Sequence, residues 1–197
     1  MRAVQARGRD IVKRASWLND NMARQALRAY REAARCNPVT ERDGRDWYNA
    51  ALVHAHAFAR HHHVSVNCAA GVIAVLSPQH TWDQNLKLAE VCLGGGTPRC
   101  FKKTASLACA IRDANGMPDT ALMGPKVGAF YRAIMGHQDA VVIDRWMLRA
   151  MGMPDARLTR KRYAVLAQVV RDVAKEHCES ASTFQAIVWC QIRGKSF

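Results

Sequence analysis

No stretch of the sequence reaches the roughly 20 uninterrupted apolar residues that a membrane-spanning helix needs. The first ten residues, Met1 to Asp10, are basic and have no apolar segment behind them, so no signal peptide is expected. The seven cysteines, at positions 36, 68, 92, 100, 109, 178 and 190, are odd in number and contain no CxxC pair. That argues against a disulfide framework and against a four-cysteine metal site. Cys68, Cys92 and Cys109 stand within apolar helical patterns, where a thiol behaves as a small hydrophobe. The glycine run Gly94–Gly96 lacks the Gly-Lys-Ser/Thr ending of a phosphate-cradling P-loop. Strand patterns, low-complexity segments and internal repeats are missing as well. These absences lead to the expectation of a soluble, intracellular protein, cytoplasmic or at the nucleoid and not secreted, in a reducing compartment.

What the chain has in excess is positive charge. Its 29 Lys and Arg against 16 Asp and Glu give a net +13, spread from Arg2 to Lys195 and not gathered in a tail. Such an excess favours a polyanionic partner, because phosphate backbones release condensed counterions on binding. A nucleic acid is the class of partner that such a charge favours. At 197 residues and 49% hydrophobic composition the chain can bury one substantial core, or two small lobes sharing one.

The punctuation is that of helix after helix, an all-α chain. Asn19 or Asp20 is placed to cap a helix reaching about Cys36, with Asn37 and Pro38 as its stop. Thr40 to Asp43 reads as a capping box opening a helix through Tyr48–Arg60. Ser65 is placed to cap Val66–Leu76, which is apolar nearly all round and therefore central. Thr81 with Gln84 forms a second box for a helix ending at Gly94. Further helices are expected over 104–115, 126–135, 144–151, 159–178 and 180–192, with short Gly- and Pro-bearing segments between. The simplest organisation is a single compact helical unit over residues 1–197, with both termini available to pack together as a second lobe.

The chemistry concentrates in two stretches. In the first, residues 122–136, a turn containing Gly124 and Pro125 leads into a helix, and Lys126 falls in its first turn. Such a turn presents backbone N–H groups to a phosphate, and the helix dipole places partial positive charge beside the ammonium, which helps to free the amine for attack. In the second, residues 140–149, an apolar run ends in Ile143, Asp144, Arg145 and Trp146, with Arg149 beyond. Asp144 also suits the N-cap of the following helix. His54, His56 and the run His61–His63 invite a metal reading, and His54 and His61, seven apart, can share a helix face, but no carboxylate or cysteine completes a convincing set, and a basic or polar helix end is the simpler expectation. Trp47, Tyr48 and Trp82 are read as core or lobe-packing residues.

The two stretches together resemble the helix-hairpin-helix DNA glycosylase superfamily, of which endonuclease III is a member. In that family a glycine-rich hairpin ends in a catalytic lysine, and an apolar segment then leads to an aspartate followed five residues later by an arginine. Lys126 and Asp144 stand 18 positions apart, which matches that spacing, and Arg149 lies five beyond Asp144. Upstream, Val75–Gln79 with Asn85 is similar to the family's Leu-Leu-Ser-x-Gln segment, whose glutamine fills the space left by a flipped nucleotide. The resemblance covers about residues 50–153. Leu122 stands where the family hairpin has its first glycine, Trp146 replaces the histidine after the aspartate, and the four-cysteine iron–sulfur loop is missing.

The resemblance implies a helix-hairpin-helix glycosylase-like fold and an enzyme that excises a modified or damaged base through a Lys–sugar Schiff base, with a lyase step after it. Lys126 and Asp144 would be catalytic, Gln79, Gly124, Arg145, Arg149, Lys102 and Lys103 would contact double-stranded DNA, and no metal or organic cofactor is implied. Two alternatives stand beside it: an enzyme of the same fold acting on hypermodified pyrimidines in DNA, and a non-catalytic helix-hairpin-helix DNA-binding protein.

Overall fold

The computed structural model describes residues 20–35 and 38–194, so the candidate cap Asn19 and the stop at Cys36 and Asn37 lie outside the described residues. Every regular element among the described residues is an α-helix: α1 (Asp20–Ala33), α2 (Pro38–His62), α3 (Val66–Leu76), α4 (Trp82–Leu93), α5 (Lys102–Ala114), α6 (Thr120–Ile134), α7 (Arg145–Ala150), α8 (Arg160–Glu176) and α9 (Ala181–Arg193). None of these helices is long and apolar enough to cross a membrane. The described residues divide into two compact units, one made from the flanking segments (those up to Arg45, and Val141 to Gly194) and the other from Asp46–Ala140.

In the unit of residues 46–140, α3 is the central element. Ser65 caps it, with its hydroxyl accepting from the Cys68 N–H at 3.0 Å, and every residue from Cys68 to Leu76 is buried. With four Ala or Gly residues among its eleven, α3 is narrow enough for neighbours to pack on several sides, and α4, α5 and α6 all do so. Burial pushes the Cys68 thiol up to about 11 and the Cys92 thiol to about 12, well above reactive values. The Trp47 and Trp82 rings meet with centroids 5.4 Å apart, so that these two aromatics pack against each other.

In the other unit, α1 buries Ala26 and Tyr30 along one stripe and exposes Arg24, Arg28 and Arg31. Tyr30 meets Phe184 of α9 edge-on at 6.1 Å, and Arg31 forms a two-pronged pair with Glu176 at the end of α8. The opening of α2 differs from the sequence expectation. The helix begins at Pro38, two residues before Thr40, because proline suits the first helical position, where its missing N–H costs nothing. Gly44 of this stretch is buried, and a Cβ there would lie 2.3 Å from the Ile187 backbone. Only glycine lets α2 and α9 approach this closely.

Candidate active site

In the unit of residues 46–140, α3 ends at Ser77, whose hydroxyl donates back to the Ala74 carbonyl at 2.9 Å. Five residues later α4 begins, fixed by the capping box in which Thr81 and Gln84 bond each other's backbone N–H groups at 3.1 and 3.3 Å. Gln79 lies between these two anchored helix ends. It is exposed and adopts a left-handed backbone, φ 68°, which costs a non-glycine residue of order 1 kcal/mol. The short connection thus holds a strained glutamine outward. Asn85, one turn into α4, is 1% exposed, and neither atom of its amide has a hydrogen-bond partner among the described residues.

Gly124 breaks α6 with φ 75° and ψ 167°, and open space surrounds the position a Cβ would take. The backbone conformation, not crowding, demands glycine here. Pro125 then stands at the head of the second helical segment, and Lys126 in its first turn, half-buried. That segment is held by buried Phe130, Tyr131, Ala133 and Ile134, and by the Tyr131 hydroxyl, which donates to Asn67 Oδ1 at 2.8 Å. Burial raises the Tyr131 hydroxyl above its ordinary value, in keeping with a neutral donor. Lys102 and Lys103 open α5, where Phe101 supplies no side-chain cap and no acidic residue occupies the first turn. Both lysines are exposed, as is 64% of Phe101, so an aromatic ring and two ammonium groups share an uncapped helix head. The sequence reading named the lysines and missed Phe101, whose exposure no local pattern signals.

Asp144 belongs to the unit built from the chain ends. As expected from its position, it caps a helix: Oδ1 accepts from the N–H groups of Trp146 at 2.8 Å and Met147 at 3.0 Å. Its other oxygen, Oδ2, accepts from the Trp189 indole N–H at 3.0 Å. The extended run ahead of it is clamped from α8 and α9. The Tyr163 hydroxyl donates to the Val141 carbonyl at 2.7 Å and accepts from the Ile143 N–H at 3.2 Å, while Gln185 Oε1 accepts from the Val142 N–H at 3.4 Å. Burial pushes the Tyr163 hydroxyl up to about 12, although the Ile143 hydrogen bond pulls the other way. Beyond the cap, the exposed Arg145 and Arg149 carry their guanidinium carbons 5.5 and 4.5 Å from the Trp146 ring centroid, and Arg193 lies 4.4 Å over Trp189. Tyr163, Gln185 and Trp189 escaped the sequence reading because each reaches its partner across 20 or more positions.

The residues singled out from sequence therefore fall into two sets. Asp144, Arg145 and Arg149 come together around the head of α7 in one unit, and Gln79, Lys102, Lys103, Gly124 and Lys126 belong to the other. Neither a curated protein nor a solved structure matches the chain. A family model does match, over residues 9–196: the chain belongs to the Family of unknown function (DUF7178).

Proposed function

We propose that this member of the family is a DNA glycosylase that removes a modified or damaged base from duplex DNA, with Lys126 as nucleophile and Asp144 as the charge-stabilising carboxylate. The observation that carries the reading is the fixing of Asp144 by three N–H donors at the head of α7, with two exposed arginines beside it. A carboxylate held this way needs no reorganisation when positive charge develops on a sugar. The net +13 charge and the left-handed, outward Gln79 add support, the latter as a residue to occupy the gap in the base stack.

In this reaction the Lys126 amine, after losing its proton to solvent, attacks the sugar C1′ as the glycosidic bond breaks. The bonding pair leaves with the base, which takes up a proton. Opening of the sugar ring then yields the imine, which water hydrolyses or from which β-elimination expels the 3′ phosphate. Asp144 stabilises the oxocarbenium-like charge at C1′ before the new bond is complete.

One observation favours a second reading, DNA binding without chemistry: both Asp144 oxygens already serve in structural hydrogen bonds. Borohydride reduction in the presence of duplexes, each carrying one modified base, separates the two. The glycosylase reading expects a covalent complex that Lys126→Gln abolishes while DNA affinity stays within a few fold, since one ammonium among many contributes little to binding. Salt-dependent binding with no trapped complex on any duplex of the panel would establish the binding reading instead, and a flat salt response would defeat both.

A further inference from the structure

We propose that His61, His62 and Glu90 form a binding site for a divalent transition-metal ion of the zinc class. The site lies within the unit of residues 46–140 and plays no part in the chemistry assigned to Lys126 and Asp144. His61 and His62 are the last two residues of α2, and Glu90 stands in the last turn of α4. One ligand atom from each residue falls within 4.8 Å of the other two. Glu90 Oε1 lies 3.1 Å from His62 Nε2 and 3.7 Å from His61 Nε2. Nitrogen and oxygen donors at about 2.0–2.2 Å around a tetrahedral ion stand roughly 3.3–3.6 Å apart, so these separations bracket the ligand spacing of zinc.

Two further observations point to a cation. First, His62 Nε2 is shielded from solvent and has no hydrogen-bond partner among the described residues, although a carboxylate oxygen sits 3.1 Å away. The side chain itself is only 11% exposed. An imidazole nitrogen buried beside an oxygen, but misaligned for a hydrogen bond to it, is arranged as two ligands of a common ion are. Secondly, the residues sit at two helix C-termini, where the helix dipoles concentrate negative charge and favour a cation. The C-cap of α4 also touches this corner: a Cβ at Gly94 would stand 3.6 Å from His62 Cε1. His61 is 72% exposed, so an ion held here keeps a solvent-facing fourth position for water or an incoming ligand. Bound metal would link the end of α2 to the end of α4 and stabilise the folded chain, because the unfolded chain does not hold the three groups together.

The test uses the full chain, freed of metal by chelation and titrated with zinc by calorimetry and with cobalt by visible absorption. One equivalent is expected to bind, with the intense cobalt bands of a four-coordinate site and a zinc-dependent rise in Tm. Glu90→Gln and His61→Asn change exposed side chains and leave the fold intact, as circular dichroism will verify. Each should weaken zinc by about tenfold or more, whereas His63→Ala and His137→Ala should leave it unchanged. No binding overturns the proposal. Binding that survives Glu90→Gln, or that His63→Ala weakens as much as His61→Asn does, also overturns it, since that is the behaviour of a run of surface histidines.

Discussion

Trp189 donates its indole N–H to Asp144 Oδ2 at 3.0 Å, across 45 positions of sequence, so the cap of α7 is held by a side chain of α9 as well as by its own helix. The carboxylate thus has one oxygen for the helix and one for the tryptophan. The two contributions can be separated by substitution.

Asp144→Asn retains an oxygen for the Trp146 and Met147 N–H groups, and asparagine caps helices as well as aspartate does. Its stability, measured by urea denaturation, is expected to fall by no more than about 1 kcal/mol, whereas Asp144→Ala should lose about 1–2 kcal/mol. Under the glycosylase reading the asparagine variant still loses base excision by two orders of magnitude or more, because only the negative charge acts on the transition state. Excision at the wild-type rate in a folded Asp144→Asn protein would remove Asp144 from the mechanism.

A pH dependence follows from Tyr163. Its hydroxyl is pushed up to about 12 in the folded chain, against about 10 for an ordinary tyrosine. Between these values the unfolded chain ionises and the folded chain does not, so ionisation favours unfolding. The stability tied to this proton is intact below pH 10 and is lost as pH rises from 10 to 12, by on the order of 2–3 kcal/mol. Tyr163→Phe should start less stable by about 2 kcal/mol, having lost both bonds to the Val141–Ile143 run, and should show a shallower decline above pH 10. Parallel declines in the two proteins would show that other groups cause the alkaline loss.

Gln79 offers a test in which stability and function move apart. At φ 68° glycine is free of the side-chain penalty, so Gln79→Gly should be more stable than Gln79→Ala by about 1 kcal/mol in thermal melts. Under the glycosylase reading both variants should act poorly on paired duplex and retain more activity on single strands, where no base must be drawn from a stack. Equal losses on the two substrates would leave Gln79 as a helix-end residue only.

What was legible in the sequence was local. The caps at Ser65, Thr81 and Asp144 were readable because each hydroxyl or carboxylate finds its N–H two or three residues away. The span of α3 was readable because Ser65 opens it and Ser77 with Pro78 closes it. Thr40 misled for a related reason: a capping pattern stood two residues inside a helix that Pro38 had already started. The clamp around Asp144 was not legible, since Tyr163, Gln185 and Trp189 reach it from later helices and carry no mark of that role in their own neighbourhoods. Glu90 was invisible for the same reason. The histidines at 61 and 62 lacked a carboxylate along the sequence and acquire one only through folding.

The division of the chain into an uninterrupted stretch, residues 46–140, and a unit assembled from both flanks has a consequence for synthesis. On the ribosome the uninterrupted stretch can bury α3 as soon as Ala140 has emerged, since α3 and the helices that cover it are by then all made. The flanking unit must wait. Tyr30 and Arg31 are translated early, yet their partners Phe184 and Glu176 arrive some 150 residues later, so α1 passes most of translation with its apolar stripe uncovered. A nascent chain stalled just beyond Ala140 would therefore already hold the folded segments that carry Gln79 and Lys126, and none of the helices that hold Asp144 in place.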